Sequence, residues 1–239
     1  MSISQNIERA KTDYDAVYTA GKQAEYDAFW DGFQNYGNRT DYHYAFYWWA
    51  GAEEINPKHP ITTTTLYQAF TDCQSLKKAP SNVVPIDSAF NGCYAAFARC
   101  RLLEEIPFDI PVTTGTDYGA LNSTFYDCKK LKTVKLILDG KPYTYGYTFV
   151  YCQALENLIV EGEITSSGFN TQWSTQLNKP SITSIINALS TATSSLTVIF
   201  SKTAVNNAFA TSADTGDGST SAEWLALVAT RSNWTISLV

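Results

Sequence analysis

Histidine is almost missing from this chain of 239 residues: there are two, His43 and His59. Neither stands at a spacing to cysteine or carboxylate that would build a metal site. Basic residues are outnumbered, 17 Lys and Arg against 23 Asp and Glu, for a net charge of -6. Without a basic stripe to neutralise phosphates, nucleic acid is not an expected partner. The same deficit argues against docking on anionic membranes. No run of about 18 apolar residues occurs, so membrane insertion is not expected. The opening "MSISQNIERAKTDYD" has no apolar core of a signal peptide, and "NWTISLV" at the end carries no sorting or lipidation motif. The expectation is cytoplasmic synthesis, with a phage particle or a cell surface as destination.

Catalytic signatures are equally scarce. There is no G-x-S-x-G, no P-loop and no dinucleotide fingerprint. "DTG" at Asp214 to Gly216 matches the aspartic-protease triplet, but that chemistry needs two carboxylates sharing a proton and only one copy exists. "DTGDGST" lacks the alternating ligands and terminal Glu of a calcium loop. Glu104 and Glu105 are the alternative reading, a glycosidase-type carboxylate pair. The five cysteines form no C-x-x-C pair, which favours buried structural thiols over redox or metal chemistry. The expectation is a non-enzymatic protein without cofactor or metal.

What the chain does contain is a repeat. "YQAFTDCQSLKKAP", "YAAFARCRLLEEIP", "NSTFYDCKKLKTVK" and "GYTFVYCQALENLI" superimpose as F-x-x-C-x-x-L-x-x-apolar. The sets are Phe70, Cys73, Leu76, Ala79; Phe97, Cys100, Leu103, Ile106; Phe125, Cys128, Leu131, Val134; and Phe149, Cys152, Leu155, Leu158. A worn copy precedes them, with Phe46, Trp49, Ala52 and Ile55. The phenylalanines of the four full copies lie 27, 28 and 24 residues apart. Periods of this length mean a solenoid, in which each unit buries its apolar face only by stacking on its neighbours. The spacing of three places Phe and Cys on one face of a short helical or 3₁₀ turn, followed by a short strand such as "LKTVKLIL" or "LENLIVEG".

These motifs resemble the BspA-like leucine-rich repeat family, whose units run A-F-x-x-C and then L-x-x-I-x-[IL]-P; "AFARCRLLEEIPFDIP" is the nearest copy. The resemblance covers residues 66 to 160 and, more faintly, those from 42. The chain departs from the pattern in its variable repeat length and in an extra half-motif, "IDSAFNGC", at Phe90 and Cys93. The fold class implied is α/β: a leucine-rich-repeat-type right-handed solenoid over 42–170, with an N-terminal helical cap over 1–37 and a small α/β C-terminal cap over 171–239. The family's members are largely bacterial surface and adhesion proteins.

In the flanks, residues 3 to 34 show a heptad-like pattern with weak occupants. It reads as a cap on a monomer or, alternatively, as a coiled-coil stem that makes a trimer. "PSITSIINAL" reads as a helix capped by Ser181, and "TSAEWLALVATRS" as a helix opened by Thr220 and Glu223 in capping-box spacing. "LTVIF" and "NWTISLV" read as strands, "KTAVNNAFA" as a short helix.

Aromatics make up 14% of the chain, with 15 Tyr and 6 Trp, and such side chains are enriched at recognition surfaces. Tyr118, Tyr143, Tyr145 and Tyr151, in the stretches between repeats, are the expected partner-binding residues. The expected function is recognition of a protein or glycan at a bacterial or host surface. A phage or prophage tail-associated protein is the alternative, since "VYTAGKQAEYDAFWDGFQ" is similar to a segment in proteins of gut Firmicutes and their phages.

Overall fold

The computed structural model describes residues 42–58, 60–85, 92–112, 120–139, 144–192, 195–210 and 217–239. The expected N-terminal helix, Phe90 of the half-motif, His59 and the Asp214–Gly216 triplet lie outside the described residues. The described residues wind as a β-solenoid of about five turns, mixed with three α-helices.

Each coil opens on its phenylalanine. The segment around it is not the 3₁₀ turn that the spacing of three suggests. In a 3₁₀ helix every N–H closes a bond to the carbonyl three residues back. Here only alternate N–H groups do: Ala69 to Leu66, Thr71 to Gln68 and Cys73 to Phe70. The N–H groups between them point along the stack and bond the following coil, Gln68 to Tyr94 (2.8 Å), Phe70 to Ala96 (2.8 Å) and Asp72 to Ala98 (2.9 Å). This double set of bonds requires left-handed backbone two residues before and two residues after each phenylalanine. Tyr44, Trp48, Gln68, Asp72, Ala95, Arg99, Ser123, Asp127, Tyr147 and Tyr151 all have φ between 47° and 63°, apart from Trp48 at 65°. The expected turn is thus a bend ribbon.

The phenylalanines stack through the centre. Ring centroids are 5.0 Å apart for Phe46–Phe70 and Phe70–Phe97, 5.9 Å for Phe97–Phe125 and 5.7 Å for Phe125–Phe149, with interplanar angles of 18° or less. All five are buried, as are Cys73, Cys100, Cys128 and Cys152, Leu76, Leu103, Leu131 and Leu155, and the apolar residues that follow, Ala79, Ile106, Val134 and Leu158. The cysteines also bond. Each thiol donates to the phenylalanine carbonyl of the preceding coil: Cys73 to Phe46 (3.0 Å), Cys100 to Phe70 (2.9 Å), Cys128 to Phe97 (3.0 Å) and Cys152 to Phe125 (3.0 Å). A small apolar side chain that is also a weak S–H donor suits this corner.

Past the leucine each coil runs into parallel strands. β1 (Ile61–Thr63) pairs with β2 (Val83–Pro85), and β3 (Ile110–Val112) pairs with β4 (Thr133–Leu138), which pairs with β5 (Asn157–Glu161). The parallel bridges Lys78–Glu105 and Glu105–Thr133 extend this register to earlier coils. A third parallel sheet holds β6 (Phe169–Thr171), β7 (Leu196–Phe200) and β8 (Trp234–Leu238) in that order. Between its strands lie α1 (Lys179–Ala188), α2 (Lys202–Phe209) and α3 (Ala222–Ala229).

Coil-to-coil bonding runs on past residue 170. Leu177 N–H bonds Ser174 O as Leu155 N–H bonds Cys152 O, and Asn178 N–H bonds Glu156 O as Glu156 N–H bonds Lys132 O. Thr171-x-x-Ser174-x-x-Leu177 is therefore a sixth, worn copy of F-x-x-C-x-x-L. The outer edge of β5 is met by α1 through two serine hydroxyls. Ser181 Oγ accepts Leu158 N–H (2.9 Å), and Ser184 Oγ accepts Val160 N–H (2.9 Å). Side chains three apart on the helix thus satisfy amides two apart on the strand, which settles an otherwise open edge. This corrects the expected role of Ser181: Asn178 is the N-cap of α1, accepting Ser181 N–H at 2.9 Å. Likewise α3 is capped by Ser221, one residue after Thr220, through Trp224 N–H. Glu223 reaches instead to Lys179 of α1.

The sixth coil identifies a weak point. Ser174 occupies the cysteine position, fully buried, and its hydroxyl has no hydrogen-bond partner. By register its acceptor would be Phe149 O, and the C–O bond is shorter than C–S. Ser174→Cys should complete the thiol ladder and remove a buried unsatisfied hydroxyl, a gain of about 1–2 kcal/mol. Urea unfolding of the two proteins checks this; an unchanged midpoint would show that the hydroxyl costs nothing there.

Candidate functional site

Two columns of side chains leave the solenoid at the residues flanking each leucine and each phenylalanine. The first follows the leucines, or Ala52 in the first coil: Glu53, Lys77, Glu104, Lys132, Glu156. Their backbones form one ladder, Lys77 N–H to Glu53 O (3.0 Å), Glu104 to Lys77 (2.8 Å), Lys132 to Glu104 (3.0 Å) and Glu156 to Lys132 (3.1 Å). Along it the charge alternates at every step. Lys77 meets Glu53 and Lys132 meets Glu104, each at 2.7 Å. Beside this column Lys78 meets Glu105 at 3.1 Å, and Lys135 lies between Asp109 (2.8 Å) and Glu161 (3.2 Å). The hydrogen bond from Lys132 holds the Glu104 carboxyl below its usual 4.5, with the Lys132 charge as the next cause. That direction is opposite to the one a general acid needs near neutral pH.

The second column lies on the bend ribbon, two residues either side of phenylalanine, at the left-handed positions. At its middle it carries charge that is neutralised in place. The Arg99 guanidinium bonds both carboxylate oxygens of Asp72, while Arg101 Nε (2.7 Å) and Lys129 (3.6 Å) meet Asp127. At both ends it carries rings. Trp48 is 60% exposed, Tyr147 66%, Tyr151 37% and Trp173, the matching residue of the sixth coil, 37%. Near the first coils Tyr67 and Tyr94 stack at 5.0 Å and 16°, with His43 5.0 Å and Tyr44 5.6 Å from Tyr67. Near the last coils Tyr126, Tyr151 and Trp173 form a chain, at 5.8 Å and 65°, then 4.8 Å and 55°.

Of the four tyrosines expected to bind a partner, Tyr118 and Tyr143 lie outside the described residues. Tyr151 stands in the exposed strip. Tyr145 does not: it is buried, its ring 5.1 Å from that of Phe169, and burial pushes its phenol up. The reading of Tyr145 as a surface residue is corrected, because it supports the phenylalanine stack where the fifth coil meets the sixth. Trp48, Tyr126, Tyr147 and Trp173 were not singled out in the sequence. Aligning the coils on phenylalanine and reading the positions two residues away would have found Trp48, Tyr147 and Tyr151.

Burial also pushes up the thiols of Cys93, Cys100, Cys128 and Cys152, which keeps the last three in the S–H form that their bonds to carbonyls use. Among the described residues no group of three or more His, Cys, Asp and Glu is placed to hold a metal ion, and no helix is long and apolar enough to cross a membrane. In comparisons with known proteins, no family model, no curated protein and no solved structure matches the chain.

The alternating column makes a specific prediction. Lys132→Glu aligns three carboxylates and should lower the melting temperature. The double exchange Glu104→Lys/Lys132→Glu restores the direct pair but sets like charges against Lys77 and Glu156, so it should recover only part of the loss. For an isolated pair it would recover nearly all. Because the folded Glu104 carboxyl titrates below its ordinary value, the ladder's contribution is complete above 4.5 and fades as pH falls through the lowered value. The difference between wild type and Lys132→Gln should shrink over that same range, and raised salt should shrink it too.

Proposed function

We propose that this is a non-enzymatic recognition protein, a solenoid that binds a macromolecular partner, protein or glycan, at a bacterial or host surface. The observation that carries the reading is the aromatic strip. Trp48, Tyr147, Tyr151 and Trp173 stand exposed on a frame whose coils are bonded backbone to backbone. Large rings on a rigid frame bind with little loss of conformational freedom. The neutralised Asp72–Arg99 and Asp127–Arg101 pairs leave the strip without a strong field of either sign. Similarity of the F-x-x-C-x-x-L copies to BspA-like leucine-rich repeats supports the same function. In this proposal the stack is of the right-handed leucine-rich-repeat type, closed at its two ends by an N-terminal helical cap and the α/β segment over 171–239.

The test uses labelled full-length chain on intact gut bacteria and, in parallel, on immobilised host matrix proteins and mucin. Saturable binding is expected on one of the two surfaces. Trp48→Ala/Tyr147→Ala/Trp173→Ala should weaken it about tenfold or more, since losing a central aromatic contact costs about 2 kcal/mol or more. Binding to bacteria alone would fit a phage-associated or cell-surface protein, and binding to matrix or mucin a host adhesin. Absence of binding to both would sink the proposal.

A further inference from the structure

The two aromatic groups on the ribbon differ in what their rings still offer. Tyr67 and Tyr94 stack nearly parallel, so each spends a face on the other. Tyr126, Tyr151 and Trp173 are inclined to one another by 65° and 55°. Neither pair is therefore sandwiched face to face, and Tyr151 and Trp173 each remain 37% exposed. The three also stand on three consecutive coils, one ring per coil, in steps of 5.8 and 4.8 Å. Such a step is close to the length of one pyranose in an extended chain. The neighbouring charge, Asp127, is neutralised by Arg101 and Lys129, so an ionic ligand would find no free counter-charge there. Gln153, two residues after Tyr151, and Gln172, next to Trp173, are uncharged hydrogen-bonding groups, at least partly exposed. Ring faces presented to the axial C–H bonds of a sugar, with amides for its hydroxyls, are the chemistry that holds a neutral saccharide.

Resting on the recognition function above, we infer that Tyr126, Tyr151 and Trp173 form a binding site for an uncharged oligosaccharide of about three contiguous pyranose units. The glycan lies along the solenoid axis, each sugar over one ring, and this end of the ribbon is the contact. A proline-rich peptide is the competing occupant, because it too prefers aromatic-lined surfaces.

The experiment titrates full-length protein with uncharged hexasaccharides, cellohexaose, mannohexaose and chitohexaose, and with deca-proline, following tryptophan fluorescence and calorimetry. At least one hexasaccharide should bind saturably, with little loss in raised salt. Trp173→Ala and Tyr151→Ala should each weaken it at least tenfold at an unchanged melting temperature. Tyr151→Phe, which keeps the ring face, should retain most of the affinity, and Lys202→Gln, exposed on α2 away from the ribbon rings, should leave it unaltered. Binding of deca-proline alone, of no probe at all, or of a hexasaccharide equally by wild type and Trp173→Ala would each overturn the inference. If the protein binds cells or matrix through the ribbon while no hexasaccharide binds, recognition stands and the glycan assignment alone falls.

Discussion

The rest of the molecule depends on the hydrogen bonds that alternate N–H groups of the bend ribbon donate to the following coil. Left-handed backbone costs a non-glycine residue about 1–2 kcal/mol, and two such residues occur in each of the five phenylalanine coils, none of them glycine. In the first four coils the cost is tolerated because these residues are themselves donors. Trp48 bonds Thr71 (2.8 Å), Arg99 bonds Tyr126 (2.7 Å) and Asp127 bonds Val150 (2.9 Å). An isolated coil would carry the strain and have no acceptor for those groups. Stacking therefore decides whether the ribbon conformation exists at all, as expected where repeats contact only their neighbours.

The phenylalanine carbonyl is the point where local and long-range bonding meet. It accepts the N–H of its own coil's cysteine, as Phe70 O does from Cys73 at 3.2 Å, and the thiol of the next coil, as from Cys100 at 2.9 Å. A buried carbonyl thus receives two donors while the thiol fills the corner beneath the leucine. This accounts for a recurring cysteine without invoking a disulfide, and all five described cysteines are free. Where the repeat ends, hydroxyls take over. Ser181 and Ser184 of α1 finish the β5 edge, and Arg231, Asn233 and Trp234 bond the carbonyls of Asn187, Leu189 and Ser190 at the far end of that helix.

Much of this frame was legible in the sequence because Phe, Cys, Leu and a following apolar residue recur wherever the core is deepest. Two things were hidden. Spacing of three is common to a 3₁₀ turn and to a bend ribbon, and the left-handed positions hold Tyr, Trp, Arg and Asp with no glycine to mark them. The sixth coil escaped because Thr171 and Ser174 replace Phe and Cys, so only its hydrogen bonds betray it. Of the binding residues, Tyr151 was within reach. Tyr145 was not, because its place between repeats is that of a surface-loop tyrosine, whereas its ring packs on Phe169.

Why recognition should concentrate on the ribbon follows from the column two residues past phenylalanine. It runs Trp48, Asp72, Arg99, Asp127, Tyr151 and, in the worn coil, Trp173, while the phenylalanine column holds one residue type through five coils. Packing dictates the second column and constrains the first less: Trp48, Asp72, Arg99 and Asp127 join the stack through their backbone N–H, while their exposure ranges from buried Asp72 and Asp127 to Trp48 at 60%. Truncating a ring there to alanine leaves the donor, the φ angle and the core in place, whereas truncating Phe125 would open a cavity costing about 3–5 kcal/mol. Binding chemistry and fold stability are thus assigned to different atoms of the same coil. A column freed in this way can exchange charge for aromatic surface without disturbing the stack, and at Tyr151 and Trp173 it is aromatic surface that it holds.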